Sequence, residues 1–89
     1  MSFEYDPTKS AANKDKHGID FDAAQALWLD GKLAELVSKA NVSEEVRYLG
    51  IGRIKEKHWT AIFARRGGSI RIISVRRARK EEVEYYESN

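Results

Sequence analysis

Apolar and polar residues alternate with a helical period in the first third of the chain and with a strand period through most of the rest. Ser2–Tyr5 reads as a short extended start. Asp6-Pro7 then marks the start of a helix, because Asp accepts from the unpaired N–H groups of a first turn and Pro suits the first helical position. The run from Pro7 to His17 predicts that helix, and Gly18 is placed to stop it in a left-handed cap. Ala11 and Ala12 are its only apolar interior residues, so it is expected to lie across the surface. Asp20 opens a second helix, Phe21 to Leu29, in which Phe21, Ala24, Leu27 and Trp28 fall on one stripe. Asp30-Gly31 ends it.

Beyond Gly31 the period shortens. Leu33–Ser38 and Val46–Ile54 predict strands, and Gly50 and Gly52 in the second mark either a bulge or a close backbone approach. Lys55-Glu56-Lys57 reads as a polar turn and His58–Arg65 as a strand. Gly67-Gly68 supplies the glycine pair that a two-residue hairpin turn uses. Ser69–Arg76 is the most strand-like run, rich in β-branched residues. In a regular strand Ile70, Ile72, Ser74 and Arg76 would share one face, and Arg71, Ile73 and Val75 the other. A last helix is expected from Ala78 to Glu87, with Val83, Tyr85 and Tyr86 giving it an apolar side. The expected fold is α+β: two N-terminal helices and one C-terminal helix on an antiparallel meander sheet of three to four strands, as one domain over residues 1–89.

Composition narrows the chemistry. The absence of cysteine removes disulfides, thiolate metal sites and a cysteine nucleophile, and it fits a reducing, cytoplasmic setting. The two histidines, His17 and His58, are far apart in the chain, which argues against a zinc site; no metal and no cofactor are expected. No apolar run approaches the ~20 residues of a membrane span, so no membrane association is expected. The net charge is only +2, but it is segregated. Arg65, Arg66, Arg71, Arg76, Arg77, Arg79 and Lys80 lie in a sixteen-residue window without a single acid, and the remainder of the chain is net acidic. Such a field suits a polyanion or an acidic protein partner, and six of its seven members are arginines, whose planar fork matches phosphate.

Several residues admit two roles. Arg66 before the glycine turn and Arg76 at the far end of the following strand are either convergent clamps on a phosphate, or strand-end residues that pair with nearby Glu or cover apolar edges with their stems. Arg76, Arg77, Arg79 and Lys80 crowd the start of the last helix, where cations oppose the helix dipole. They build an anion site there unless Glu81 and Glu82 neutralise it. His17 is either a helix-capping cation or a general acid/base working near pH 7. Tyr85 and Tyr86 are core and edge aromatics or stacking platforms for bases; Trp28 and Trp59 are read as core.

Three stretches resemble the BrnT toxins. Phe3-Glu4-Tyr5-Asp6-Pro7 with Lys9, Asn13, Lys16-His17-Gly18 and Phe21 is similar to the family's opening, and Arg47 to Gly52-Arg53 to its middle. Arg66-Gly67, then Arg71 to Ala78, with Glu82 and Tyr85, is similar to its C-terminal signature. Tyr5, Ala64, Val75 and Arg79 depart from the family's usual Trp, Thr, Ala and Ser or Thr. The resemblance implies a RelE-like ribonuclease toxin of a type II toxin–antitoxin pair. It also implies a BrnA-type antitoxin partner whose DNA-binding region represses the shared operon, with a 2:2 complex as one arrangement. A metal-independent ribonuclease of this kind lets the 2′-OH attack the adjacent phosphorus. Arg66 and Arg76 are then expected to stabilise charge and His17 to transfer protons, with Lys14, Lys16 and Tyr85 as alternative proton carriers. Arg71, Arg77, Arg79, Lys80, Lys16 and Tyr85 are expected to bind the RNA, Arg71 less directly because a regular strand turns it away from Arg76. The alternative is a non-catalytic module that binds nucleic acid or a protein partner through the same basic surface.

Overall fold

The computed structural model describes residues 1–39 and 45–88; the single-domain expectation over residues 1–89 therefore extends across positions outside those described. The elements follow in the order β1 (Ser2–Glu4), α1 (Pro7–His17), α2 (Phe21–Ala24), a 3-10 helix (Gln25–Leu29), β2 (Ala34–Val37), β3 (Tyr48–Ile54), β4 (Lys57–Arg66), β5 (Ser69–Arg77) and α3 (Lys80–Glu87). Asp6 accepts from the N–H of Thr8 at 2.8 Å at the start of α1, and Gly18, at φ 85°, closes it by donating to Lys14 O. Asp20 accepts from Ala23 N–H at 2.7 Å to start α2. The predicted second helix tightens into 3-10 geometry after Ala24; Phe21, Ala24 and Leu27 are still buried, whereas Leu29 is exposed.

The five strands form one sheet in the order β1-β5-β4-β3-β2. This corrects the expected antiparallel meander of three to four strands. β2 to β5 are a meander, but Ser2–Glu4 adds as a parallel edge strand on Ser69–Arg71, so the sheet is mixed. Three residues are too few to show an alternation, and their partner lies at the opposite end of the chain. Arg66 pairs with Ser69 across the Gly67-Gly68 turn, where Gly67 has φ 59°. That left-handed first position is the one a type II′ turn reserves for glycine. The polar turn between β3 and β4 contracts to Lys55-Glu56, with Lys55 left-handed at φ 57°. The β3 register is regular, so its glycines serve close approach and not a bulge. A Cβ on Gly52 would meet Leu27 at 2.9 Å and Leu33 at 3.0 Å.

The bulge lies in β5 instead. Ile62 and Phe63 are neighbours on β4, yet they pair with Ser74 and Ile72, which leaves Ile73 as the extra residue. One unpaired residue reverses the alternation beyond it. Ile70 and Ile72 point into the main core, and so does Val75. Paired residues share a face, so Arg71, Ser74 and Arg76 lie with Ala64, Ile62 and Thr60 on the opposite side of the sheet. The expectation that Arg71 faces away from Arg76 is thus corrected. Asn13 of α1 secures the bulged edge: its amide donates to Val75 O at 2.9 Å and Ile19 O at 2.7 Å and accepts from Val75 N–H at 3.2 Å. In doing so it takes the place of a neighbouring strand beyond the end of β1.

Two cores result. Ile19, Phe21 and Leu27 pack on Phe63, Ile72 and Val75 under α1, α2 and the 3-10 helix. On the other face, among the described residues, α3 sets Tyr86 against Ala34 and Ile51, with Leu36 and Ala78 alongside. The Tyr86 hydroxyl donates to Asp30 at 2.6 Å, which ties α3 to the segment leading into β2. The bond to Asp30 and burial push the Tyr86 hydroxyl up to about 12, while Asp30, against the effect of burial, is held below its ordinary value by Tyr86 and the N–H groups of Lys32 and Arg53.

Candidate nucleic-acid interface

The face of the sheet opposite α1 and α2 carries three of the predicted arginines. Arg66, Arg71 and Arg76 are all on it, because Arg66 pairs with Ser69, Arg71 with Ala64 and Arg76 with Thr60. Half-buried Leu36, Leu49 and Ile62 run beside them. Arg66 and Arg76 do not close on a single pocket, however. Their register positions on β4, Arg66 and Thr60, are separated by roughly 20 Å at the ordinary rise of a strand. Two clusters exist, one at each end of the hairpin.

At the turn end, Arg66 and Arg71 come together around Glu4. Glu4 Oε1 lies 3.5 Å from Arg66 Nη1 and 3.7 Å from Arg71 Nη1. On its other side Arg66 makes a fork with Glu45, Nε to Oε2 at 2.8 Å and Nη2 to Oε1 at 3.4 Å. The hydrogen bond from Arg66, with the nearby charges of Arg66, Arg71 and Arg47, holds Glu45 below the usual carboxylate range. Arg66 is raised in turn by the same partner. All four side chains are solvent-accessible, at 50% for Arg66, 36% for Glu45, 40% for Glu4 and 31% for Arg71.

At the exit end, Arg76 donates to both oxygens of Glu82, at 2.7 and 2.8 Å. Glu82 also accepts from the Arg79 N–H at 2.8 Å and from Thr60 Oγ1 at 2.9 Å. Arg79 at the N-cap contributes only its backbone, so the helix start is closed by the Glu82 half of a capping box. Burial alone would raise Glu82, but Arg76, the Arg79 N–H and Thr60 together pull it down to about 2. The side chains are 20% and 10% exposed, so this is a partly buried network that anchors α3. The anion site expected at this helix start is occupied by a carboxylate of the helix itself, as the neutralisation alternative held.

The remaining predicted residues are dispersed. Arg77 stacks over Trp59, its guanidinium 5.5 Å from the ring centroid, on the helix-covered face. Arg79 and Lys80 are exposed at the start of α3. Lys16 and His17 are not brought to the arginine face; with Lys9 they line a shallow groove between α1 and the bulge residue Ile73. Tyr85 is exposed beside the outer edge of β2, away from the arginines, while Tyr86 is buried, as a core aromatic. His58, to which the sequence assigned no role, sits 3.3 Å from Glu87 and edge-on to Tyr86. Sequence reasoning missed Glu4 and Glu45 as partners of the turn-end arginines; only the parallel pairing of β1 and the folding-back of the chain before β3 reveal them. No group of three or more His, Asp and Glu that could hold a metal comes together among the described residues.

With α1, α2 and the 3-10 helix on one face of the sheet, and on the other α3 at one end and Arg66 and Arg71 beside an apolar strip at the other, this is a small α+β protein that displays arginines at its hairpin turn. Residues 5–82 match the family model for BrnT, the ribonuclease toxin of a type II toxin–antitoxin system, and the chain belongs to that family. As such it is a ribonuclease toxin of a type II system, which implies an RNA substrate and an antitoxin partner. No curated relative matches the chain. Among the described residues no helix is long and apolar enough to cross a membrane.

Proposed function

We propose that this chain, acting as a single RelE-like domain over residues 1–89, is a cytoplasmic endoribonuclease that cuts RNA without a metal by attack of the 2′-OH on the adjacent phosphorus. A BrnA-type, DNA-binding antitoxin neutralises it and represses their operon. The observation that carries the assignment is the pair Arg66 and Arg71, brought to one sheet face at the hairpin turn and 50% and 31% exposed. The scissile phosphate lies at the turn end, where Arg66 and Arg71 can donate to its non-bridging oxygens as charge grows in the transition state. Bases rest on the strip of Leu36, Leu49 and Ile62. Arg76, already neutralised by Glu82 and roughly 20 Å off, anchors α3 in this reading instead of meeting the reacting phosphate. Arg77, Arg79, Lys80 and Lys16 meet phosphates farther along the strand, and Tyr85 a more distant base. The 2′ proton leaves to water and the departing 5′ oxygen takes one from water, while His17, at the α1–β5 groove on the other face, meets a phosphate of the strand that crosses the β5 edge.

The separation of His17 from the arginine face favours a second reading, in which the same surface binds RNA or an acidic partner without cutting. Incubation of the pure protein with RNA in EDTA separates the two. Cleavage products ending in a 2′,3′-cyclic phosphate, lost in Arg66→Ala and reduced in His17→Ala, are expected. Intact RNA bound with a steep salt dependence would establish the binding module instead. Wild-type rates in Arg66→Ala would remove the phosphate assignment.

A further inference from the structure

The turn-end arginines are not presented bare. Arg66 and Arg71 each already meet a carboxylate of this chain. Glu45 faces the side-on fork of Arg66, Nε and Nη2, with its two oxygens at 2.8 and 3.4 Å. A phosphate seated bidentately on an arginine uses the same two N–H groups and the same oxygen spacing. Glu4 lies between Arg66 and Arg71, within 3.7 Å of each, where a second phosphoryl oxygen would bridge them. The carboxylates come from β1 and from the residues before β3, two segments that flank the hairpin from opposite sides. We propose that Glu45 and Glu4 are place-holders for phosphate: they occupy the forks of Arg66 and Arg71 in the free protein and must be displaced when the RNA backbone binds.

Exposure makes the exchange feasible. Ion pairs between accessible side chains add little stability, because water and salt already screen them. An RNA phosphodiester matches a carboxylate in charge and in its two available oxygens, and a strand brings several of them at once, so it competes well for a fork that is already oriented. The carboxylates meanwhile hold both guanidiniums in the geometry the phosphate needs, which lowers the ordering cost of binding. They also mask the positive charge, so weak or non-specific anions are excluded. Glu45 and Glu4 are therefore positioning and selectivity residues, not catalytic ones. Glu82 cannot play this part, since its carboxylate is committed at once to Arg76, Thr60 and the Arg79 N–H.

The inference rests on the turn end being the RNA site, and the test keeps the two apart. The probe is a 2′-O-methyl oligoribonucleotide, which keeps the phosphate backbone but cannot be cut. Its Kd is measured by fluorescence anisotropy at several salt concentrations for the full chain and for Glu45→Gln, Glu4→Gln, Arg66→Ala and the Arg66→Ala/Glu45→Gln double variant. Glu56→Gln, in the exposed β3–β4 turn, removes the same unit of charge away from the forks and serves as the control. Glu45→Gln is expected to tighten binding about two- to fivefold beyond the control, the range that exposed pairs support, with a smaller gain for Glu4→Gln. The gain should disappear in the Arg66→Ala background. A Glu45→Gln affinity equal to that of Glu56→Gln, or a gain that persists without Arg66, overturns the place-holder role while leaving the RNA site standing. If Arg66→Ala binds the probe as well as the unmodified chain, the site assignment fails and the place-holder falls with it.

Discussion

The two ends of the β4–β5 hairpin carry the same pairing, an arginine forked onto a glutamate, and use it for opposite purposes. At the exit, Arg76 and Glu82 are mostly shielded from solvent, and Glu82 gathers three further constraints from Thr60, the Arg79 N–H and its own helix. At the turn, Arg66 and Glu45 are each more than a third exposed and share their charges with Glu4 and Arg71. Removing one member of a shielded pair leaves a charge without solvent or partner; removing one member of an exposed pair leaves a hydrated side chain. Chemical identity is therefore a poor guide to role. Burial decides which guanidinium is structural and which is available to a ligand.

That contrast is open to direct attack. Glu82→Ala should cause the largest loss, about 2–3 kcal/mol by urea denaturation, because it strands Arg76, uncaps α3 and orphans Thr60. An unchanged unfolding midpoint would end the structural assignment of the exit pair. Asn13→Ala comes next, at about 2 kcal/mol, since it leaves both backbone groups of Val75 without their described side-chain partner at the bulge. Its amide protection around Val75 in hydrogen exchange should fall with it. The acid limb of stability reads Glu82 in the intact protein. Its carboxyl is pulled from 4.5 to about 2 on folding, so the pair's contribution is complete above about pH 4.5 and is lost as the pH falls from there toward 2. The acid transition should flatten in Glu82→Gln, and an unaltered limb would assign it to other carboxylates. The smallest effect on stability belongs to Arg66→Ala, whose melting temperature should stay near that of the unmodified chain while RNA cleavage and RNA affinity drop. A melting temperature that falls as far as that of Glu82→Ala would erase the distinction between the two ends.

Much of the local structure was legible because its causes are local. Asp6-Pro7 and Gly18 bound α1, Asp20 starts α2, and the glycine pair joins β4 to β5, each through backbone geometry that a neighbouring residue satisfies. The membership of β1 in the sheet was not legible, since three residues show no period and their partner is more than sixty positions away. The faces of Arg71 and Arg76 were misjudged for one reason. A bulge does not announce itself in a run of Ile, Ile, Ser and Val that suits a regular strand equally well. The arginines of the site were visible as a charge cluster, but their carboxylates were not, because Glu4 and Glu45 are remote in sequence from the window they neutralise.

The order of helices and strands, the segregation of positive charge into one sixteen-residue window and the kinship with BrnT toxins belong to the linear chain. Those properties depend on periodicity, composition and short motifs, which survive without a third dimension. Which arginines meet, which face they share and which carboxylates answer them were decided only by the fold. A single extra residue at Ile73 and a strand from the far terminus set those distances, and electrostatic roles depend on distance and burial that no local pattern encodes.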